Sequence, residues 1–355
     1  RAMVGFERSA GMDREGGGDY EELGGSSDAG RGAAGPGAGA GPGAGAAPAV
    51  WVASTALAVL VVGSAVRPAP CAGVEACARA EVVAGSPLSG YAVCALCTAL
   101  LLETVSLGLT WLSAGPLRRI VRGLDRVFVP PLLLCVTFLV LILENICIEG
   151  LWLVHVAAPG VGEAAGRPVY SAIYAEWVVN VPILLVLSGR FALSRPWAEV
   201  SRPVIVTNLY IVLSWGAFFV PRPALRWSAI LVAFAMYGWA SVDMAGWIRR
   251  FREASPEDLP GRRSRSSIAV GLVAIFFVYG LIYLAAQVGA ISSKAELRSF
   301  VILDVCVKLN VLLVFVGIRS SQFYDLLVDL LANKRVHDEG GYAIADSFGA
   351  GAQVP

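Results

Sequence analysis

Charged side chains are scarce in this sequence. Of its 355 residues only 15% are Asp, Glu, Lys or Arg, whereas soluble domains carry about 25%. Hydrophobic residues make up 56% of the chain. This balance excludes an ordinary soluble domain and predicts a protein that crosses a membrane several times, with the lipid bilayer as its first partner.

The motifs of several common enzyme and binding classes are also missing. The chain has no glycine-rich phosphate loop, no zinc-like spacing of cysteine and histidine, and no G-x-S-x-G elbow. Its two histidines, His155 and His337, lie far apart in sequence, which disfavours a histidine-based metal site. No basic segment with interleaved aromatic residues is present, so we expect no nucleic-acid partner.

Long apolar runs account for most of the remaining chain. Residues 1–49 are rich in Gly, Ala and Pro and are predicted to form a disordered tail. Beyond this tail we predict an all-α membrane protein, with a seven-helix bundle over 90–320 and one additional N-terminal transmembrane helix before it. Eight apolar runs support this, each approaching or exceeding the ~20 residues that a spanning helix needs: 50–66, 90–112, 128–154, 170–189, 203–220, 227–248, 268–290 and 299–318.

The placement of arginine predicts how these helices are oriented. Arg and Lys concentrate in alternate connections, which should face the cytoplasm; these lie at 118–126, 190–202, 249–265 and 319–335. Both chain ends, including the tail 321–355, are then cytoplasmic, and the plasma membrane is the expected location. The connection 67–89 is expected to be extracellular. There Cys71 and Cys77 could form a disulfide within or between protomers, with two free thiols as the alternative.

The last apolar run contains a buried acid and a buried amine. From Phe300 to Ile318 it reads FVILDVCVKLNVLLVFVGI, with Asp304 and Lys308 near its middle. A charge at bilayer depth costs a few kcal/mol, and residues four apart share one face of a helix. Lys308 is the only one of three lysines inside an apolar run. Such a lysine can lose its proton and form a Schiff base with an aldehyde; the alternative is a structural ion pair in a transporter-like bundle.

A second acid lies in the fourth run, which reads YSAIYAEWVVNVPILLVLSG. Glu176 is followed by Trp177, and Asn180 lies four residues on, on the same helix face as Glu176. A carboxylate in a membrane helix is costly unless it meets a cation. We therefore expect Glu176, Asp304 and Lys308 to come together.

The seventh run adds an aromatic stripe. Phe276, Tyr279 and Tyr283 are spaced by three and four residues and so share one face of a helix. A stripe at this spacing is more often ordinary core. Beside a buried lysine and two acids, a ligand-binding box becomes the favoured interpretation.

These motifs resemble those of the microbial (type 1) rhodopsins. LDVCVK resembles the retinal-attachment helix of that family, and YAEWVVNVP resembles its third helix; the similarity covers about residues 90–320. The resemblance implies that Lys308 binds all-trans-retinal as a protonated Schiff base, balanced by Glu176 and Asp304. It also implies that the chromophore is lined by Trp177, Asn180, Val181, Phe276, Tyr279 and Tyr283.

The chain also departs from the pattern of the family's pumps. Ile173 stands where an arginine is usual, and Leu187 lies near the position of the cytoplasmic proton donor. The usual proline after the tyrosine of the sixth family helix is Gly280. Since a pump needs a donor and a directed path, these departures disfavour pumping.

Three functions compete on this reading. The first is a photoreceptor that signals to a linked or partner effector, because an additional N-terminal helix resembles the enzyme-linked rhodopsins, although this chain contains no catalytic domain after its last run. The second is a light-gated ion channel, suggested by the acids Glu103, Glu144 and Glu149, with solvated surface acids as the alternative for the last two. A pump ranks third. A homo-oligomer, dimer or trimer, is expected from the resemblance.

Overall fold

The structure, a computed structural model, describes residues 87–114, 125–158, 166–255 and 261–320. All of them belong to the compact unit Gly41–Pro355. Four expectations lie outside the described residues: the disordered tail 1–49, the additional helix 50–66, the Cys71–Cys77 disulfide and the tail 321–355.

The described residues form seven long helices and one short hairpin. The helices are α1 (Pro87–Ala114), α2 (Asp125–Glu149), α3 (Ser171–Val186), α4 (Trp197–Ala217), α5 (Pro223–Ala254), α6 (Arg262–Gln287) and α7 (Ser293–Ser320). The antiparallel strands β1 (Val154–Val156) and β2 (Pro168–Tyr170) lie between α2 and α3. The seven-helix bundle predicted over 90–320 is confirmed.

Six of these helices are long and apolar enough to cross a membrane, so the chain is a multi-pass membrane protein. The seventh, α4, has 21 residues, about 32 Å at 1.5 Å per residue. Its first turns carry two charged side chains that are paired with α5: Glu199 accepts from Arg250 at 2.8 Å, and Arg202 lies 3.4 Å from Asp243. These ion pairs lie at the end of the bundle opposite the hairpin. We call this end the distal end.

The third apolar run is not helical throughout. The run 128–154 predicts one continuous span, but α2 ends at Glu149 and the chain enters a turn and then β1. The turn uses positive φ at Leu151 and Leu153. Apolar content alone does not separate a buried strand from the end of a helix, and here the β-branched pair Val154 and Val156 forms the ladder with β2.

Helix α3 lies at the centre of the bundle. Its span is almost fully buried, whereas every other candidate span is half buried or less. It packs against α2 and α4. Any polar side chain on α3 therefore points into protein rather than lipid, and this places Glu176 among the other helices.

A π-helical segment, Leu187–Ala192, continues α3 toward the distal end. The amide of Leu193 donates to the carbonyl of Ser188, five residues back. At Gly189 a Cβ atom would lie 2.9 Å from Val200 and 3.0 Å from Trp247. The missing side chain thus lets α4 and α5 approach this segment closely.

Candidate functional site

Lys308 is the centre of a buried charged cluster. Its side chain lies in the middle of α7 and is 1% exposed. Its Nζ donates to Asp304, one turn earlier on the same helix, and lies 3.1 Å from Oε1 of Glu176 on α3. The meeting of these three residues, expected from the cost of burying each charge alone, is what the structure shows.

Asp304 is held by two further donors from two other helices. The hydroxyl of Tyr279 on α6 donates to Oδ1 at 2.8 Å, and Nε1 of Trp177 on α3 donates to Oδ2 at 3.3 Å. Donors from α3 and α6 and the amine of Lys308 thus converge on this one carboxyl group.

Asn180 positions the other acid. Its Nδ2 donates to Oε1 of Glu176 at 2.5 Å and to the backbone carbonyl of Thr137 on α2 at 3.1 Å. The same carboxylate oxygen therefore receives both Asn180 and Lys308. This contact links α2, α3 and α7 through one carboxyl group.

A cavity opens beside Lys308. Seven of the nine predicted site residues line it: Trp177, Val181, Phe276, Tyr279, Tyr283, Asp304 and Lys308. The other two, Glu176 and Asn180, lie behind this wall and contact the cluster rather than the cavity. The aromatic stripe on α6 is therefore a cavity wall.

Sequence reasoning missed the opposite wall. It comes from α4 and α5, with Tyr174 and Leu184 of α3 added, and includes Tyr210, Ile211, Ser214, Ala233, Phe234 and Tyr237. The spacing of Tyr174 three residues before Trp177 was an available indication. The sequences of α4 and α5 contained no comparable signal, because both helices present apolar side chains to lipid as well as to the interior.

Gly280 shapes the cavity from α6. A Cβ atom there would meet the ring of Phe234 at 3.2 Å. The phenyl ring of α5 therefore packs directly on the α6 backbone at this point. This contact gives a physical use to one departure from the family pattern.

The remaining membrane acids differ in their surroundings. Glu103 on α1 is buried and accepts from Arg319 of α7 at 3.2 Å. Glu149 is exposed, as the solvated alternative predicts. Glu144 is buried, so the solvated alternative is wrong for this residue.

A second polar cluster ties the hairpin end of the bundle together. Arg167, just before β2, pairs with Glu296 of α7 at 2.8 Å and donates to Ser293 at 3.0 Å and to the carbonyl of Ala286 on α6. Arg226 of α5 donates to the side-chain carbonyl of Gln287. These contacts join the loop, α5, α6 and α7 around one end of the molecule.

His155 connects the hairpin to the helices. Its Nδ1 lies 2.8 Å from the hydroxyl of Ser171, which also accepts from Nε1 of Trp215 at 2.8 Å. Partial burial lowers the pKa of His155 and favours the neutral ring at neutral pH. No group of three or more metal-ligating side chains occurs in the described ranges, so His155 has no metal site around it there.

Comparisons with known proteins bear on the fold. No protein-family model matches the chain, and no curated protein matches its sequence. Solved structures do match. The transmembrane domain and linker region of Salpingoeca rosetta rhodopsin phosphodiesterase is 17% identical, with a TM-score of 0.59, and the match covers 89% of this chain and 94% of that one.

Two further solved structures are similar to this chain in fold. The transmembrane domain of the same phosphodiesterase matches 77% of this chain and 95% of its own, at 17% identity and a TM-score of 0.57. A light-driven proton pump, the rhodopsin of Coccomyxa subellipsoidea, matches 64% of this chain and 94% of its own, at 16% identity and a TM-score of 0.53. Together with the seven helices described above, these matches show that the chain has the fold of the microbial rhodopsins.

Proposed function

We propose that the chain is a retinal-based photoreceptor in which retinal is attached to Lys308 and light is reported to a linked or partner effector. The observation that supports this most is the position of Lys308. Its amine is buried between two carboxylates and borders a largely apolar cavity. An ion pair that served only to stabilise a bundle would need no such cavity beside it.

The cavity fits an apolar aldehyde in its chemistry. Its wall is aromatic and aliphatic except at Ser214, Asp304 and Lys308. A lysine amine condenses with an aldehyde with loss of water, and the other end of the cavity offers rings against which a long hydrocarbon can pack.

When bound, retinal would supply a chromophore that changes shape when it absorbs light. The protein's own residues would do the rest. Glu176 and Asp304 would balance the positive charge at Lys308, since a buried cation needs nearby anions. Asn180 would hold Glu176 in place, and Trp177 would contact both the ligand and Asp304.

The ligand's length would be bounded by the remaining predicted site residues. Val181 and Phe276 would pack on the hydrocarbon, with Tyr279 and Tyr283 beside them on α6. Tyr283 donates to the carbonyl of Ser214 at 2.9 Å, so its ring is fixed against α4. A wall built on hydrogen-bonded rings resists deformation, so a change of ligand shape would be passed to the helices.

Helix α7 is the natural path for a signal to an effector. It carries Lys308 at its middle and Arg319 at its distal end, where Arg319 pairs with Glu103 of α1. The similarity in fold to the transmembrane domain and linker region of a rhodopsin phosphodiesterase supports a role in signalling to an effector. Ile173 and Leu187 are both buried and apolar, which supports signalling over pumping.

A light-gated channel is the second candidate. The observation in its favour is that Glu103 and Glu144 are both buried within spanning helices, where acids often mark ion paths. Against it, Glu103 is held in an ion pair with Arg319. Voltage-clamped cells would separate the two: a photocurrent that reverses at an ion's equilibrium potential means a channel, and its absence in cells that show the chromophore band means a sensor.

The absorption spectrum tests the photoreceptor proposal directly. We expect a visible band when the full chain is expressed with all-trans-retinal, and complete loss of that band in Lys308→Ala. Lys294→Ala, on the same helix, is the matched control and should keep the band. A folded parent that stays colourless with retinal present, or a Lys308→Ala variant that keeps the band, would overturn the proposal.

A further inference from the structure

Glu144 of α2 is a buried acid that forms no ion pair with any residue in the described part of the chain. Its side chain is 5% exposed. Its Oε1 has no hydrogen-bond partner among the described groups, and its Oε2 lies 3.5 Å from Nδ2 of Asn145, at the limit of a hydrogen bond. A buried carboxylate in this state is costly while it stays charged.

The charge balance around Glu144 makes ionisation costlier still. Glu144 lies seven residues after Thr137 and so on the same face of α2, and the carbonyl of Thr137 accepts from Asn180, which also donates to Glu176 of the Lys308 cluster. This neighbourhood thus contains three carboxyl groups and one amine. If all were ionised, the buried cluster would carry two uncompensated negative charges, which a low-dielectric interior does not tolerate.

Two arginines near the two ends of α7 are committed to other acids. Arg319 pairs with Glu103, and Arg167 pairs with Glu296. The titratable groups that bear on Glu144 are Glu176 from α3, Asp304 and Lys308 from α7, Tyr279 from α6 and Cys147 from its own helix. Within this set Lys308 is the single positive charge, and it lies against Glu176 and Asp304.

We propose that Glu144 is a proton-holding acid of the Lys308 cluster, neutral at neutral pH, whose ionisation in alkaline solution changes the charge that Lys308 experiences. The O–H bond of the Glu144 carboxyl breaks and its proton leaves to water. The cluster then gains one negative charge. A neutral Glu144 is inferred from its burial and its missing partners, without reference to retinal, whereas the colour change described below rests on the proposed function.

Infrared spectroscopy tests the protonation state. In spectra of the full chain, a protonated carboxyl shows a carbonyl stretching band that an ionised one lacks. We expect one such band at neutral pH to disappear in Glu144→Gln and to persist in Glu149→Gln, the exposed acid five residues later on α2. An unchanged band in Glu144→Gln would overturn the proposal, and so would loss of the same band in Glu149→Gln.

The visible spectrum tests the electrostatic link. A new negative charge near Lys308 stabilises positive charge at its nitrogen, and this stabilisation is greatest in the ground state. We therefore expect the parent's band to shift to shorter wavelength on alkaline titration, and the shift to be lost in Glu144→Gln but kept in Glu149→Gln. At neutral pH, Glu144→Gln should leave the band almost unmoved, because one neutral side chain replaces another.

The two measurements fail in different ways. A chain that never binds retinal would overturn the proposed function, and the infrared band would still decide the state of Glu144. A coloured protein whose band moves at neutral pH in Glu144→Gln as far as it does in Glu176→Gln would show that Glu144 is already ionised, which overturns this inference alone. Dependence of the alkaline shift on sodium at fixed pH would assign the site to a metal cation and overturn it as well.

Discussion

Asp304 is the most heavily coordinated side chain of the site. It accepts from Lys308 on its own helix, from Tyr279 on α6 and from Trp177 on α3. Hydrogen bonds to a charged group are worth about 1.5–3 kcal/mol, against about 0.5–1.5 kcal/mol for neutral pairs. This carboxylate therefore fastens three helices together as well as balancing a cation.

Removing one of these donors should have a measurable cost. We expect Tyr279→Phe to lower the free energy of unfolding by about 1.5–3 kcal/mol, because Asp304 loses a donor to its charged form. Tyr237→Phe is the control: its hydroxyl donates to the neutral carbonyl of Val273 at 2.8 Å, and about 0.5–1.5 kcal/mol is expected. Thermal unfolding in detergent measures both.

A second background separates the lost hydrogen bond to Asp304 from general effects of the Tyr→Phe change on packing. In an Asp304→Asn background the excess cost of Tyr279→Phe over Tyr237→Phe should vanish, because the acceptor is then neutral. Equal costs for the two tyrosines in the parent protein would contradict the view that Asp304 is an ionised acceptor.

The residue scale also shows which site members a sequence can reveal. Lys308, Asp304 and Glu176 stood out because charges are rare in apolar runs and costly at bilayer depth. Glu144 is also a charged residue in an apolar run. Because it lies near the end of that run, the sequence does not separate a buried acid from a solvated one. Burial decides between the two, and burial depends on which helices surround a residue.

At the scale of elements, α3 and its π-helical continuation determine where the site lies. Because α3 is enclosed by other helices, it can carry Glu176, Trp177 and Asn180 without exposing them to lipid. The π-helical segment packs closely against Val200 of α4 and Trp247 of α5 at Gly189. Its geometry is therefore sensitive to side-chain volume at that one position.

We expect Gly189→Ala to destabilise the protein by about 1–3 kcal/mol, the usual cost of overpacking. The added methyl group would meet Val200 at 2.9 Å and Trp247 at 3.0 Å. Gly271→Ala, in α6 with no atom within 4 Å of the new Cβ, is the control and should be neutral or slightly stabilising.

A rescue experiment makes this prediction specific. Val200→Ala removes one of the two contacts, so the double variant should lose less stability than the two single variants together. Strict additivity would mean that the cost at Gly189 arises from the backbone rather than from this contact. Thermal unfolding of the four proteins provides the comparison.

The hairpin shows the limit of pattern reading at this scale. Gly150 directly follows Glu149 and is a residue type that commonly ends helices, but the apolar residues continue past it to 154 and so favour a longer helix. The ladder between Val154 and Tyr170 exists because β2 is present to pair with β1. A strand of three residues has no stability of its own, so it is invisible until its partner is known.

At the scale of the whole molecule, the Arg167 cluster closes the hairpin end. Its guanidinium contacts the start of α7 through Glu296 and Ser293 and the end of α6 through the carbonyl of Ala286. Arg167 and Glu296 are both largely buried. Breaking such a pair from one side leaves an uncompensated buried charge.

We expect Arg167→Met to destabilise the protein by about 3–5 kcal/mol, because Glu296 remains buried without its cation. The double variant Arg167→Met with Glu296→Gln should recover part of this loss. Arg249→Met is the control, since its exposed pair with Glu253 is worth under about 1 kcal/mol. A loss of similar size in Arg167→Met and Arg249→Met would contradict a buried, stabilising pair.

The sequence alone determined the class of the protein, the order of its helices and the identity of Lys308, Asp304 and Glu176. These follow from the cost of burying backbone and charge in a bilayer, which acts on each residue whatever its neighbours are. The tertiary structure decided the end of α2, the π-helical segment, the second cavity wall and the isolation of Glu144. Those depend on which surfaces meet, because a helix face or a carboxyl group acquires its partner, or lacks one, only when the helices have packed.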